Sequence, residues 1–128
     1  MKKVLILFGG NSHEHEISCM SVNYIINNID NKIFDYELVG IDKENLIDKN
    51  WKKNIIYKID NLIKYIKSFD IVFPIVHGNT CEDGKLQSIF ELYNIKYVGC
   101  DSYSSLICYD KLLTKILLEK YKRLFIFT

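Results

Sequence analysis

The feature of this sequence that most constrains the fold is a pair of uninterrupted apolar runs of strand length. Residues 4–8 read Val-Leu-Ile-Leu-Phe and end at Gly9-Gly10, and a second apolar run occupies residues 71–76, directly after Asp70. A strand with one wet face alternates apolar and polar residues, so an uninterrupted run indicates burial on both faces. The two runs therefore predict a parallel sheet covered by helices. Pro74 conflicts mildly with the second strand, because proline cannot donate to a sheet ladder.

The rest of the chain alternates between strand-like and helix-like patterns. We expect strands near residues 3–8, 36–41, 70–76 and 96–98, a further short strand at 55–57, and helices at about 17–29, 59–66, 83–93 and 102–120. Ser12, or a residue just after it, is expected to begin the first helix. Strands and helices that alternate at this pitch are typical of βαβ units. The pattern predicts an α/β fold with a doubly wound, mostly parallel sheet and helices on both faces.

Length and charge limit the classes of function. The chain has 128 residues, which suits one domain, and 17 basic against 16 acidic residues leave a net charge of +1. Arg123 is the only arginine, and no stretch concentrates one sign of charge. Neither a nucleic acid nor an anionic membrane is an expected partner. The longest apolar runs are also far shorter than a membrane-spanning helix needs.

Cysteine usage and the start of the chain predict a cytoplasmic protein. The four cysteines are not paired in CxxC motifs. Only five apolar residues follow Met1-Lys2-Lys3 before the glycine pair, which is too short for the core of a signal peptide. We therefore expect reduced thiols in a reducing compartment.

A polar loop follows the first predicted strand. It runs from the glycine pair through Ser12, His13, Glu14, His15 and Glu16. The two carboxylates could simply complement the dipole of the following helix, which needs no ligand. A metal site on the two histidines is conceivable, but their spacing matches no H-E-x-x-H arrangement. The loop also lacks the G-x-G-x-x-G fingerprint of dinucleotide binding, and carboxylates speak against a phosphate-cradling, flavodoxin-like protein.

A second polar loop, residues 77–84, follows the most apolar strand. His77 could anchor this loop or face a ligand, and Glu82 and Asp83 could cap the next helix, with Asp83 as the N-cap. In parallel sheets, ligands bind outside the carboxyl ends of the strands. Two carboxylate-bearing loops and a histidine at one sheet edge predict a pocket for a small ligand that carries a cation, such as an amino acid.

The residues of both loops also match a known family. Four blocks, in order, resemble the N-terminal domain of the D-alanine–D-alanine ligases: Gly9-Gly10-x-Ser12-x-Glu14-x-Glu16-Ile17-Ser18, His77-Gly78-x-x-x-Glu82-Asp83-Gly84-x-Leu86-Gln87-Ser88, Tyr97-Val98-Gly99-Cys100 and Asp110-Lys111-Leu112-Leu113-Thr114-Lys115. The resemblance covers residues 1–121, which we expect to form the N-terminal substrate domain. Residues 122–128 do not match the family's continuation.

The resemblance implies an ATP- and Mg²⁺-dependent ligase that joins two D-alanines for peptidoglycan. Glu14 would bind the ammonium of the first D-alanine, with Ser12 in the same substrate-binding motif. His77 would contact the same substrate and the acyl-phosphate region, and Lys111 would face the ATP phosphates. The family's ATP-grasp domain and metal ligands are not in this sequence, so we expect no metal site here and no catalysis by this chain alone.

The resemblance also implies a homodimer that uses helices of this domain, and residues 84–93 carry more apolar surface than one buried stripe requires. One departure is Cys81, which stands where the family usually has glycine, so we expect backbone strain there. Two alternatives stay open at this point. The parent could be a ligase whose second substrate is D-lactate or D-serine, or the chain could be a non-catalytic binding module on the same fold.

Overall fold

The computed structural model describes residues 1–41, 47–48 and 59–119. The elements, in chain order, are β1 (Lys2–Gly9), α1 (His15–Asn28), β2 (Phe34–Ile41), β3 (Ile47–Asp48), α2 (Ile59–Ile66), β4 (Ile71–Val76), α3 (Lys85–Leu92), α4 (Ser102–Tyr109) and α5 (Lys111–Leu118). The short strand expected at 55–57 lies outside the described residues. No helix in the described ranges is both long and apolar enough to cross a membrane.

The strands form one sheet in the order β3-β2-β1-β4. β1 pairs in parallel with both β2 and β4, and the two-residue β3 pairs antiparallel with the end of β2. The α/β prediction with a mostly parallel sheet is confirmed. The strand expected at 96–98 is reduced to one parallel bridge between Val72 and Tyr97 on the far side of β4. Its two hydrogen bonds join Val72 to Lys96 and to Val98, at 2.8 and 2.9 Å.

The apolar run of β1 is continuous because both of its faces are covered. Val4, Ile6 and Phe8 belong to the core that contains Val22 of α1. The intervening Leu5 and Leu7 belong to the opposite core, whose helical members lie in α2 and α3: Ile63, Ile66, Leu86 and Phe90. Successive side chains of a strand point to opposite faces, so one strand supplies both cores. Each fully buried aliphatic side chain stabilises the fold by roughly 1.5–3 kcal/mol.

Pro74 fits β4 because its missing N–H faces away from β1. Val72 uses its N–H and carbonyl to bond Lys96 and Val98, on the side of β4 away from β1. In a parallel strand the residue two positions along directs its backbone groups to the same side. The N–H that Pro74 lacks would point to the side of β4 away from β1, beyond the Val72–Tyr97 bridge, where no strand pairs with it in the described structure. The pairing of β4 with β1 therefore continues to Val76.

The expectation of one helix from 102 to 120 is wrong. The tract divides into α4 and α5, and Asp110 between them has extended backbone angles, φ −84° and ψ 104°. Its carboxylate accepts hydrogen bonds from the amides of Leu112 and Leu113, both at 2.9 Å, which caps α5. Apolar periodicity continues through the break, but an aspartate that caps a new helix competes with helix continuation.

The expectation that Asp83 is the N-cap of α3 is also wrong. Gly84 occupies that position with a left-handed φ of +83°, and a Cβ there would lie 2.4 Å from the Ser102 carbonyl oxygen. Only glycine allows this close approach between the start of α3 and the start of α4. Asp83, one residue earlier, accepts a 3.2 Å hydrogen bond from the Lys85 amide.

Candidate functional site

The two polar loops leave the sheet from adjacent positions. Gly9 at the end of β1 pairs with Val76 at the end of β4, so the loop before α1 and the loop of residues 77–84 begin side by side. β2 lies on the other side of β1. The chain thus leaves β1 toward β2 and later returns to the opposite side for β4. This reversal of strand order is where open α/β sheets bind ligands.

Ser12 and Gly78 bring the two loops into contact. The Ser12 hydroxyl donates a 2.7 Å hydrogen bond to the His77 carbonyl and accepts a 3.1 Å bond from the Glu14 amide. A Cβ on Gly78 would lie 2.8 Å from Glu14 Oε2 and 3.0 Å from Ser12 Oγ. The absence of a side chain at Gly78 therefore lets the Glu14 carboxylate lie against the second loop.

Glu14 and Glu16 have different environments although both lie near the start of α1. Glu14 is the N-cap residue by backbone geometry, yet its side chain makes no capping hydrogen bond. Glu16 lies in the first helical turn, where a carboxylate complements the helix dipole. Complementing the helix dipole therefore accounts for Glu16. It does not account for Glu14, whose carboxylate lies close to Gly78 of the second loop.

His13 and His15 lie in different environments. His15 is buried, and its Nδ1 lies 2.7 Å from the Gly10 carbonyl, to which it donates because a carbonyl oxygen can only accept. His13 is exposed. The described part of the chain contains no group of three or more His, Cys, Asp or Glu side chains that could hold a metal ion.

Ser18 is a site residue whose contribution sequence reasoning missed. It is fully buried, accepts a 2.7 Å hydrogen bond from the Gly9 amide and donates to the Ile75 carbonyl. One hydroxyl on α1 therefore joins the last residues of β1 and β4. Ser18 closes the first family motif and is a polar residue within the apolar stripe of a helix, but neither signal indicates which groups it bonds. This contact holds the two polar loops at a set separation.

His77 is oriented by two polar neighbours. Its Nε2 lies 3.2 Å from Ser21 Oγ, and Ser21 donates its own hydrogen to the Ile17 carbonyl at 2.9 Å, so the ring nitrogen is the donor. Its Nδ1 lies 3.6 Å from Glu82 Oε1. Glu82 Oε2 accepts a 2.9 Å bond from the Gly78 amide. Glu82 thus folds the loop back on itself and places a carboxylate beside the His77 ring.

The expectation of backbone strain at Cys81 is wrong by one residue. The left-handed conformation belongs to Thr80, with φ +87°, and not to Cys81. A β-branched residue rarely adopts this conformation. Thr80 is held there because its carbonyl accepts a 2.8 Å bond from the Leu86 amide and its backbone also bonds the Asp83 carboxylate.

Two side chains of this loop have pKa values that differ from their ordinary ones. Cys81 is buried, and that burial, with the nearby carboxylates of Glu82 and Asp83, raises the pKa of its thiol to about 11. Burial alone would also raise the pKa of Asp83. Hydrogen bonds from Lys85 and from the Thr80 backbone outweigh it and hold that pKa below its ordinary value. The loop therefore contains a protonated thiol and an ionised carboxylate.

A cavity of about 590 Å³ opens beside His77. Its walls include Cys81, Gln87 and, from the start of α5, Lys111. The oxygen of the buried Gln87 side chain has no hydrogen-bond partner among the described residues. Tyr109, another wall residue, donates to the Asn79 side chain, which ties the end of α4 to the second loop. The structure thus brings Lys111 to the same cavity as His77, whereas Ser12 and Glu14 lie outside its lining.

Comparison with known proteins assigns the part of the chain that carries both loops to one family. Residues 3–100 match a family model described as the N-terminus of D-ala D-ala ligase. A D-alanine--D-alanine ligase from Clostridium novyi is 40% identical over 133 residues, covering 94% of this chain and 39% of that protein. The chain therefore spans about two fifths of the length of this relative.

Solved structures give the same result. The VanG D-Ala:D-Ser ligase from Enterococcus faecalis superposes with a TM-score of 0.76 at 33% identity, covering 93% of this chain and 41% of that one. The D-alanine-D-alanine ligase from Coxiella burnetii superposes with a TM-score of 0.75 at 32% identity, covering 94% and 42%. The matched family segment contains the loops that carry Ser12, Glu14 and His77, and it ends before Lys111. By its sequence match and its fold, this chain belongs to the D-alanine–D-alanine ligase family and corresponds to the N-terminal region of those enzymes.

Proposed function

We propose that this chain supplies the first-substrate side of an ATP-dependent ligase that joins two D-alanines for peptidoglycan. The observation that carries the proposal is the contact between the two loops. The Ser12–His77 hydrogen bond and the approach of the Glu14 carboxylate to Gly78 unite the family's motif residues at the carboxyl edge of the sheet. The proposed substrate domain comprises residues 1–121, and residues 122–128 lie outside it. We expect the protein to act in the cytoplasm.

The chemistry of the three residues suits an amino-acid substrate. The Glu14 carboxylate binds the ammonium group of the first D-alanine, because an ionised acceptor makes the stronger kind of hydrogen bond. Ser12 holds the first loop against the second and keeps Glu14 in place. His77, with Glu82 beside its Nδ1, stabilises negative charge that develops on the reacting carboxyl group.

Among the residues that the structure describes, Lys111 is the one we assign to contact with a nucleotide. It is exposed at the start of α5 and lines the cavity that also contains His77, a position that suits contact with the ATP phosphates. One exposed lysine–phosphate contact contributes about 1 kcal/mol or less, against roughly 8 kcal/mol for micromolar affinity. The remaining ATP contacts and the Mg²⁺ ligands belong to the part of the enzyme that this chain does not match. We expect weak ATP binding and no ligation by this chain alone.

Self-association through α3 is part of the proposal. Leu86 and Phe90 of this helix face the core, whereas Ile89 and Leu92 are exposed. Two exposed aliphatic side chains three positions apart lie on the same face of a helix. This face suits a second copy of the chain in a homodimer.

The test is a fusion of this chain to the uncovered part of the Clostridium novyi ligase. The fused protein should form D-alanyl-D-alanine, and Glu14→Gln should raise the KM for the first D-alanine and lower kcat/KM by about one to two orders of magnitude, since a charged hydrogen bond contributes roughly 1.5–3 kcal/mol. Glu16→Gln is the matched control and should leave kcat/KM nearly unchanged. If Glu14→Gln and His77→Ala both matched the parent, the proposal would be wrong. Competition between D-alanine, D-serine and D-lactate in the same assay identifies the second substrate.

A further inference from the structure

Three serines from the first part of the chain contact the end of β4 and the residue that follows it. Ser12 donates to the His77 carbonyl, and Ser18 donates to the Ile75 carbonyl. Ser21 lies one helical turn after Ser18 on α1, and its Oγ is 3.2 Å from Nε2 of the His77 ring. Ser12 and Ser18 therefore hold the backbone from which His77 extends, whereas Ser21 contacts the ring itself.

The hydroxyl hydrogen of Ser21 is already used within α1. It is donated to the Ile17 carbonyl at 2.9 Å, so Oγ can only accept from the His77 ring. Nε2 of His77 therefore carries a hydrogen. In a neutral imidazole one nitrogen donates and the other accepts, which leaves Nδ1 as the acceptor. This second nitrogen lies on the side of Glu82, whose Oε1 is 3.6 Å away.

The Ser21 hydroxyl contributes little to the stability of α1. Ser21 lies in the interior of this helix, and a serine that bonds the carbonyl four residues earlier is neutral to unfavourable there. Alanine has the higher helix propensity. Alanine would therefore serve the helix at least as well, and the contact with His77 is what the hydroxyl adds.

The His77 ring needs such a contact because packing alone does not fix it. The side chain is one third exposed, and the ring torsion of histidine is broad and roughly two-fold. A half-turn of the ring would exchange Nδ1 and Nε2. The contact with Ser21 selects one of the two orientations. A group that stabilises developing charge is effective only when its donors are held in advance at the right position.

We propose that Ser21 is a positioning residue of the candidate site, whose hydroxyl holds the His77 ring in one orientation and one tautomer, with the hydrogen on Nε2 and with Nδ1 toward Glu82. The inference deepens the proposed function and rests on it, since it takes His77 to be a residue that contacts the substrate. Ser21 itself touches no ligand and acts only through the ring. Its loss should therefore reduce turnover by misplacing His77.

The direct test is nitrogen NMR of the histidine rings in the isotope-labelled full chain, above about pH 8, where histidines are ordinarily neutral. The chain contains its own reference, because His15 donates from Nδ1 to the Gly10 carbonyl and so has the opposite tautomer. We expect the hydrogen on Nε2 in His77 and on Nδ1 in His15. In Ser21→Ala the Nε2 hydrogen of His77 should exchange with water roughly tenfold faster, the factor that loss of one ordinary hydrogen bond allows. Ser21→Thr keeps the hydroxyl and should restore the parent's rate.

The matched control is Ser88→Ala on α3. Ser88 makes the same kind of bond, to the Gly84 carbonyl four residues earlier at 2.9 Å. Its loss should leave the ring signals of His77 unchanged. Thermal melts establish that Ser21→Ala, Ser21→Thr and Ser88→Ala remain folded.

The second test is steady-state kinetics in the fused ligase. Ser21→Ala should lower kcat about tenfold with little change in the KM for the first D-alanine, and Ser21→Thr should keep most of the parent's kcat. In a His77→Ala background, Ser21→Ala should have no further effect, because a residue that acts only through the ring has nothing left to position.

Three results would overturn the inference. They are a His77 ring with its hydrogen on Nδ1 in the parent chain, ring signals that are the same in Ser21→Ala as in the parent, and a loss of kcat in Ser21→Ala that persists in the His77→Ala background. A fused parent that makes no dipeptide would count against the proposed function instead. The NMR result would then decide by itself whether Ser21 positions the ring.

Discussion

The hydroxyl of Ser12 donates a 2.7 Å hydrogen bond to the backbone carbonyl of His77, and the two residues are 65 positions apart. This bond joins the loop after β1 to the loop after β4. The same hydroxyl accepts from the Glu14 amide, so the position of Glu14 depends on the position of the second loop. A substitution at Ser12 should therefore change the positions of both loops.

Ser12→Ala should destabilise the fold by about 0.5–1.5 kcal/mol, the usual net contribution of one hydrogen bond. In the fused ligase it should also raise the KM for the first D-alanine, because Glu14 loses its support. The control is Ser88→Ala, which removes a 2.9 Å bond to the Gly84 carbonyl within one stretch of chain. Thermal melts and steady-state kinetics measure both effects. An unchanged KM for Ser12→Ala would show that the loop contact does not position Glu14.

Thr80→Gly should stabilise the protein by roughly 1 kcal/mol, because glycine adopts a φ of +87° without steric cost. The gain is reduced by loss of the long 3.4 Å contact between the Thr80 hydroxyl and the Asn11 side chain. Cys81→Gly is the matched comparison and should destabilise, since it removes a buried side chain without relieving strain. Chemical denaturation gives both free energies. The reverse order would place the strain at Cys81 after all.

Cys81 should be the slowest of the four free cysteines to alkylate. Burial is the main cause that raises the pKa of its thiol to about 11, so at pH 8 only about one thiol in a thousand is ionised. Cys100 and Cys108 are exposed and should react first. Mass spectrometry after timed iodoacetamide treatment gives the order. Rapid labelling of Cys81 in the folded protein at pH 8 would contradict the burial of its side chain.

The start of α4 should detach in acid. Hydrogen bonds from Ser102 hold the pKa of Glu91 below its ordinary value, and those from Ser104 do the same for Asp101. A carboxyl group whose pKa is lowered by folding contributes stability above its unfolded pKa and loses it as pH falls through the folded pKa. The loss is therefore expected below about pH 4. Hydrogen exchange of α4 against pH measures it, and Glu91→Gln/Asp101→Asn should flatten the profile. A profile equally steep in that variant would exclude these two groups as the cause.

The linear sequence determines the two central buried strands, β1 and β4, and the family. Uninterrupted apolar runs identify β1 and β4 because a strand buried on both faces cannot alternate, and the ordered motifs around Glu14 and His77 identify the ligase family. Each of these signals depends only on residues close together in the chain or on the order of motifs, so it can be read from the sequence alone. Helix α1 was predicted for the same reason, from the spacing of its apolar residues.

The tertiary structure decided what depends on residues far apart in the chain. Asp110 breaks the last helical tract because its carboxylate caps α5, although the apolar spacing continues across it. The left-handed residue is Thr80, one position before the one the motif suggested, because bonds to Leu86 and Asp83 hold it there. Helix-dipole reasoning applies equally to Glu14 and Glu16, whereas in the structure the Glu14 carboxylate lies close to Gly78 and Glu16 lies in the first turn of α1. Periodicity reports which face of an element is buried, whereas hydrogen bonds between loops depend on how the elements meet in space.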